Sequence, residues 1–347
     1  MNRLSIAAVL PHLRVFGGIR RYLSLGQVWT DWGHEVVLYT PDGESPDWLP
    51  FGGTVRPFRD LGDRPHDVAL TPQPTLLGAL ARVPTTRRVW YCAAENEPGE
   101  ALALEEPELL LAAVSTALAA RLRRRAGRTV IDGSGAVDPT FFHPDRGVRD
   151  PARRIVTAYG RRSRPRKGTD LVVRAVRALR SRHPGLELVL FDHVGPGNEE
   201  DPRDGFAPGF PARYVINPSA DELAALYAAS DVFVAAEKRA GWCNTAAEAM
   251  ASGACVVCTP SGTGDFARHG ETALVVRLRH PFFLARALDR ALSEPGLRDR
   301  LADAGRREIE RYSWPALAAK LLDGLGLARG IPADPGSHLL EPAVAPA

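Results

Sequence analysis

Short, unbroken apolar runs alternate along this chain with longer stretches whose apolar positions return at helical spacing, the pattern of buried parallel strands joined by helices. Runs at 4–10, 35–39, 68–70, 88–92, 111–114, 155–159, 186–191, 214–216, 232–235 and 254–258 predict strands. Helices are predicted at 19–32, 170–183, 220–229, 244–251, 281–293, 296–312 and 314–327. Gly33 ends the first helix and Gly253 the fourth, as glycine does after a last helical turn. The stretch from Ser230 to Val276 organises the rest: strand, break at Gly241, helix capped by Asn244 or Thr245, second strand, loop. Its helix begins where a parallel strand ends, and the free amides there favour an anionic ligand. Glu248, one turn in, is expected to lie near that ligand.

Composition narrows this picture. At 347 residues the chain has room for two cores, and 45% hydrophobic with 24% charged residues is the mix of a soluble globular protein. The apolar runs fall short of the roughly 20 residues that span a bilayer, and the first strand follows Met1 without a processing site, so a cytoplasmic location is expected. Cys92, Cys243, Cys255 and Cys258 sit in apolar settings; Cys255 and Cys258 have no second pair to complete a zinc site and are expected in the core. The net charge of +3 is mild, and no basic stretch interleaved with aromatics points to nucleic acid. Two arginine groups, one at 121, 123, 124, 125 and 128 and one at 82, 87 and 88, suit either solvated surface or contact with anionic membrane at the inner face.

Chemistry gathers at few places. Arg161 and Lys167, the latter one of three lysines with Lys238 and Lys320, flank a turn after a strand, where two cations can neutralise a diphosphate without a metal. Gly17 and Gly18 stand at the first strand-to-helix turn, where a missing side chain lets backbone approach a ligand, though tight-turn geometry explains them equally well. Tyr91, Glu95 and Asn96 are polar groups at the end of strand 88–92, with a sugar or acceptor contact and plain loop surface both open. Gly133 and Gly135 lack the third glycine of a dinucleotide fingerprint, and no Asp-x-Asp carboxylate clamp occurs, so neither a nicotinamide site nor a metal is expected. The polar, proline-bounded segment 143–152 is the expected domain boundary.

Taken together, Gly17-Gly18, the Gly-His-Glu-Val at 33–36, Phe142 and Pro144 after Gly-Ala-Val-Asp, Gly160-Arg161 with Lys167-Gly168, and Glu-Ala-Met-Ala-Ser-Gly at 248–253 resemble the retaining, two-domain GT-B glycosyltransferases of group 4. The resemblance runs from Leu4 to about Leu327. It implies an α/β protein of two Rossmann-like domains whose parallel sheets face a central cleft: 1–148 for the acceptor, 149–313 for the donor, a helix at 314–329 crossing back, and a flexible tail at 330–347. It implies metal-independent transfer of a sugar, with retention and with no cofactor, from a nucleoside-diphosphate sugar to a glycan, lipid-linked glycan or small molecule. Arg161 and Lys167 would hold the diphosphate, Ile216 and Asn217 the base, Glu248 the ribose, and Gly17, Gly18, Gly241, Trp242, Cys243, Asn244 and Thr245 the rest of the donor. Two departures stand out. The family's first glutamate is Ala240 here, and no histidine follows Cys92. Glu237 takes the glutamate's role if the turn is rebuilt; otherwise it is surface beside Lys238 and Arg239. A non-catalytic sugar-nucleotide-binding or scaffold protein is the alternative these departures leave open, with an epimerase a weaker one.

Overall fold

The computed structural model describes residues 2–15, 17–150, 152–195 and 198–336. Phe16 of the expected first turn, Pro151 of the expected boundary, residues 196–197 of the loop after strand 186–191, and 337–347 of the expected tail lie outside the described residues. The chain divides into two compact units, Met1–Ala136 with Tyr312–Ala347, and Val137–Arg311.

The first unit is built on seven strands, β1 (Ser5–Val9), β2 (Glu35–Thr40), β3 (Thr54–Pro57), β4 (Val68–Thr71), β5 (Arg88–Cys92), β6 (Leu110–Ala113) and β7 (Val130–Asp132). All pair in parallel, in the order β3-β2-β1-β4-β5-β6-β7. Its helices are α1 (Gly17–Asp31), α2 (Leu77–Leu80), α3 (Glu100–Glu105) and α4 (Thr116–Ala126). Burial of β1, β2, β4 and β5 explains their unbroken apolar sequence, since a parallel sheet is covered on both faces.

The second unit carries β8 (Arg154–Tyr159), β9 (Leu186–Asp192), β10 (Ala212–Ile216), β11 (Val232–Ala235), β12 (Cys255–Cys258) and β13 (Leu274–Val275), parallel throughout in the order β10-β9-β8-β11-β12-β13. Its helices are α5 (Thr169–Leu179), α6 (Ala220–Ala229), α7 (Asn244–Ala251), α8 (Pro281–Ser293) and α9 (Pro295–Ile309). Val156, Val172, Val176, Leu188, Val234, Cys255, Val257, Leu284, Leu288 and Leu301 belong to one buried core, as expected for Cys255. The last helix, α10 (Trp314–Gly324), belongs to the first unit and packs on α1 and β7.

The first passage between units falls at Ala136/Val137, ahead of the polar segment at 143–152. The reason is packing: Phe142 meets Tyr227 with ring centroids 6.0 Å apart, and Arg149 donates to the carbonyls of Ala228 and Gly253, so 137–149 is built into the second unit. Most of the two arginine groups are used internally. Arg121 and Arg125 pair with the buried Glu100, Arg123 donates to Val130 O, Arg128 to Pro107 O and Glu106 O, Arg87 to Leu325 O, and Arg88 to Val83 O. Among the described residues no helix is long and apolar enough to cross a membrane.

Candidate functional site

Strand order reverses in the second sheet beside β8, which lies between β9 and β11. Loops leaving the carboxyl ends of β8 and β11 therefore run in opposite directions and open a crevice, the place where such sheets bind ligands. After β8, Gly160 is required because a Cβ there would sit 2.4 Å from the Tyr214 ring. Arg161 then turns its guanidinium onto Asp192 at the end of β9, with Nε and Nη2 both about 3 Å from Oδ1 (3.1 and 3.0 Å), and Nη2 also donates to His193 O at 2.9 Å. A 3₁₀ turn at Pro165–Lys167 leads into Gly168, whose φ of +79° and 2.2 Å approach of a built Cβ to Ala236 O admit glycine alone.

That turn is pressed against the exit of β11. Lys238 N donates to Arg166 O at 2.8 Å, while Arg279 reaches Ala236 O with Nε and Pro165 O with Nη2, each at 2.7 Å. The result brings Lys167 Nζ to 2.9 Å from both carboxylate oxygens of Glu237, with the Tyr159 ring 5.1 Å from the ammonium. Glu237 is only 8% exposed, so the surface alternative for this residue falls. Cys243 Sγ adds a weak donor 3.7 Å from Glu237 Oε1; burial first, and then the charge of Glu237, pushes its thiol pKa up and keeps the proton on sulfur.

The loop from Ala236 to Cys243 is fixed from the 259–262 segment. Thr259 Oγ1 donates to Glu237 O at 2.6 Å, Ala240 N donates to Ser261 Oγ at 2.8 Å, and Cys243 N to Gly262 O at 2.8 Å. Asn244 and Thr245 are not the cap expected of them: both lie inside α7, which starts at Asn244 with Cys243 in the cap position and no side-chain cap bond, and Cys243 N is held by the Gly262 carbonyl. Both stay half-buried at the helix start, whereas Gly241, Trp242 and Cys243 are buried, Trp242 against Phe266 at 4.9 Å between ring centroids. Glu248 points inward and accepts from Tyr227 Oη at 3.3 Å. Ile216 ends β10, and Asn217, at φ +51°, receives Val194 N on its Oδ1 at 2.7 Å.

In the first unit Gly17 and Gly18 form the first turn of α1. Tyr91 is not available for a sugar or acceptor: it is 1% exposed, and its hydroxyl receives Arg21 Nη1 at 3.0 Å and donates to Gly133 O at 2.5 Å. Glu95 and Asn96 are exposed, and Asn96 Oδ1 accepts from Arg121. Glu97 in that loop was not singled out by the sequence; burial pushes its carboxyl pKa up to about 7, and its Oε2 has no partner among the described residues. Asp192 and Arg279 were also missed. A lone acid closing the apolar run of β9 was the available signal for the first, while nothing local marks the second.

Residues 153–294 match the family model described as Glycosyl transferases group 1. The D-inositol 3-phosphate glycosyltransferase of Salinispora arenicola is 31% identical over 189 residues, 51% of this chain and 42% of that protein. The lipopolysaccharide core biosynthesis mannosyltransferase of Rhizobium leguminosarum bv. viciae is 28% identical over 270 residues, 67% of this chain and 76% of that one. The chain spans between 39% and 51% of the length of the first curated relatives it matches. Among solved structures, a glycosyltransferase from Rickettsia africae superposes with a TM-score of 0.74 at 16% identity, covering 95% of this chain and 99% of that one. HepE of Anabaena, in complex with UDP and glucose, does so with 0.73 at 13% identity, covering 93% and 100%. These likenesses give the fold, two parallel-sheet Rossmann-like domains of the GT-B class. The whole of the matching segment lies within the second unit, which is thus similar to the group 1 glycosyltransferases.

Proposed function

We propose that the chain transfers a sugar from a nucleoside-diphosphate sugar to a hydroxyl of a glycan, lipid-linked glycan or small molecule, with retention, without a metal and in the cytoplasm. The carrying observation is the Lys167–Glu237 pair at the switch of the second sheet. An ammonium has three N–H donors; two meet Glu237 and the third can take a phosphate oxygen, while the carboxylate keeps lone pairs for sugar hydroxyls. Phosphate and sugar are thus read by the two halves of one ion pair. Lys167 and the free amides at the start of α7 stabilise charge on the departing diphosphate, which is electrostatic catalysis needing no protein nucleophile. Arg161 adds positive potential, with Asp192 and His193 holding its plane. Glu248 is assigned the ribose, and Ile216 and Asn217 the base. UDP bound to the Anabaena neighbour supports a nucleotide of this class. A panel of nucleotide sugars tests the reading, with thermal stabilisation and slow donor hydrolysis as readouts; a panel that neither stabilises the protein nor is hydrolysed overturns it.

A further inference from the structure

Seven large hydrophobic side chains are exposed among the described residues, and three of them, Leu278 (63%), Phe282 (57%) and Phe283 (36%), fall within six residues. The other four, Val15, Leu102, Leu110 and Val148, are scattered. The phenylalanine rings stand 5.3 Å apart at the first turn of α8, where His280 Nδ1 accepts from Phe282 N and sets the turn. Inward, Leu284, Leu288, Ala291 and Leu292 of the same helix are buried, so its core face is complete without either ring. From Arg277 to Arg286 there is no acidic residue. Arg277 and Arg286 are exposed and make no ion pair among the described residues; Arg166, whose carbonyl lies 3.3 Å from Arg279 Nη2, is exposed and unpaired as well. The arginine groups at 82–88 and 121–128, by contrast, are largely spent on Glu100 and on main-chain carbonyls.

From this we infer that the tip of the second unit at Leu278, Phe282 and Phe283, with Arg166, Arg277 and Arg286 around it, docks on an anionic lipid surface. Aromatic and leucine side chains enter the boundary between headgroups and acyl chains while guanidiniums stay at the level of the phosphates. An acidic polymer would use the arginines and leave the three apolar groups in water, so the composition of the patch favours lipid. Arg279 ties the tip to the Lys167 turn, so docking brings that turn close to the lipid surface. The inference does not depend on the sugar-transfer reading.

The full chain is mixed with vesicles of phosphatidylcholine alone or with phosphatidylglycerol added, and floated on a density gradient. Wild type is expected to float with the anionic vesicles and to stay behind with the neutral ones. The paired changes Phe282→Ser with Phe283→Ser, and Arg277→Gln with Arg286→Gln, should each lower the partition coefficient, the second by roughly fivefold per arginine. Unaltered circular dichroism and melting temperature show that the variants are folded. Absence of flotation, or flotation indifferent to both phenylalanines, overturns the inference, the latter pointing to an acidic polymer as ligand. A dimer of the wild type that the phenylalanine pair dissociates also overturns it, in favour of a second copy of this chain.

Discussion

Lys167 and Glu237 are seventy positions apart, and neither makes sense alone. A carboxylate as buried as Glu237 requires a cation, and an ammonium in the crevice requires a counter-charge when no ligand is bound. Lys167→Ala should weaken binding of the donor and of the bare nucleoside diphosphate by about 1.5–3 kcal/mol, the range for a hydrogen bond to a charged group. Glu237→Gln should instead lower transfer or relax the choice of sugar, with little change in affinity for the sugar-free nucleotide. Titration calorimetry and transfer rates across several donors separate the two; an unchanged profile for Glu237→Gln makes that residue a bystander. Glu97 gives a different test. With a pKa of about 7 when folded against about 4.5 when exposed, it holds a proton between those values that the unfolded chain releases. Stability from this group therefore falls as pH rises from about 4.5 to 7 and is flat above. Glu97→Gln should remove that slope in urea unfolding at pH 5.5 and 8; an unaltered slope means that Glu97 is ionised and solvated throughout. The sequence left Glu237 between site and surface because its neighbours, Lys238 and Arg239, suggest water, and the burial is imposed by a turn from a different part of the chain. Tyr91 was legible as polar and near a loop, but not as the hydroxyl that closes Arg21 onto Gly133.

Elements read well wherever the local pattern is also the global one. β5, α6, β11 and α8 have the bounds that apolar runs and caps predict, and α6 begins with Ser219 and Glu222 exchanging bonds with each other's main chain. β3 was not expected at all: Thr54–Pro57 is an edge strand without a buried face and with proline at its end, so neither alternation nor an apolar run marks it. The sequence places a turn between Arg161 and Lys167, but the tightness of its Pro165–Lys167 part comes from Gly168 touching Ala236. Gly168→Ala must take on left-handed strain of about 1–2 kcal/mol and also push the turn off β11, moving Lys167 from Glu237. Gly270 is the control, since it has the same φ of +79° with nothing within 4 Å of a built Cβ. Both variants should lose stability in chemical unfolding, but only Gly168→Ala should also lose nucleotide affinity. Equal affinities would mean that the turn has no part in the site.

Each unit has its own core, and the chain passes through the first one twice. Returning after Arg311, it lays α10 on α1 and β7, sends Lys320 Nζ to Ser134 O at 3.2 Å, accepts Arg87 Nε on Leu325 O at 3.1 Å, and meets His34 Nε2 with Gly330 O at 2.6 Å. Leu317, Leu321 and Leu322 are fully buried there, and three such side chains contribute roughly 5–9 kcal/mol of transfer free energy. That is comparable to the whole stability of an ordinary domain, about 5–15 kcal/mol. The second unit, by contrast, is one unbroken segment with a separate core and every residue of the Lys167–Glu237 site. A chain ending at Arg311 should therefore lose the cooperative unfolding of its first unit while keeping that of the second. Residues 137–311 expressed alone should fold, unfold cooperatively and be stabilised by the same nucleotides as the full chain. Calorimetry of the full chain, of 1–311 and of 137–311, each with and without nucleoside diphosphate, checks this directly. If 1–311 retains the full chain's heat of unfolding, α10 covers the first unit without supporting it; if 137–311 folds but ignores nucleotide, the donor site is incomplete without the first unit.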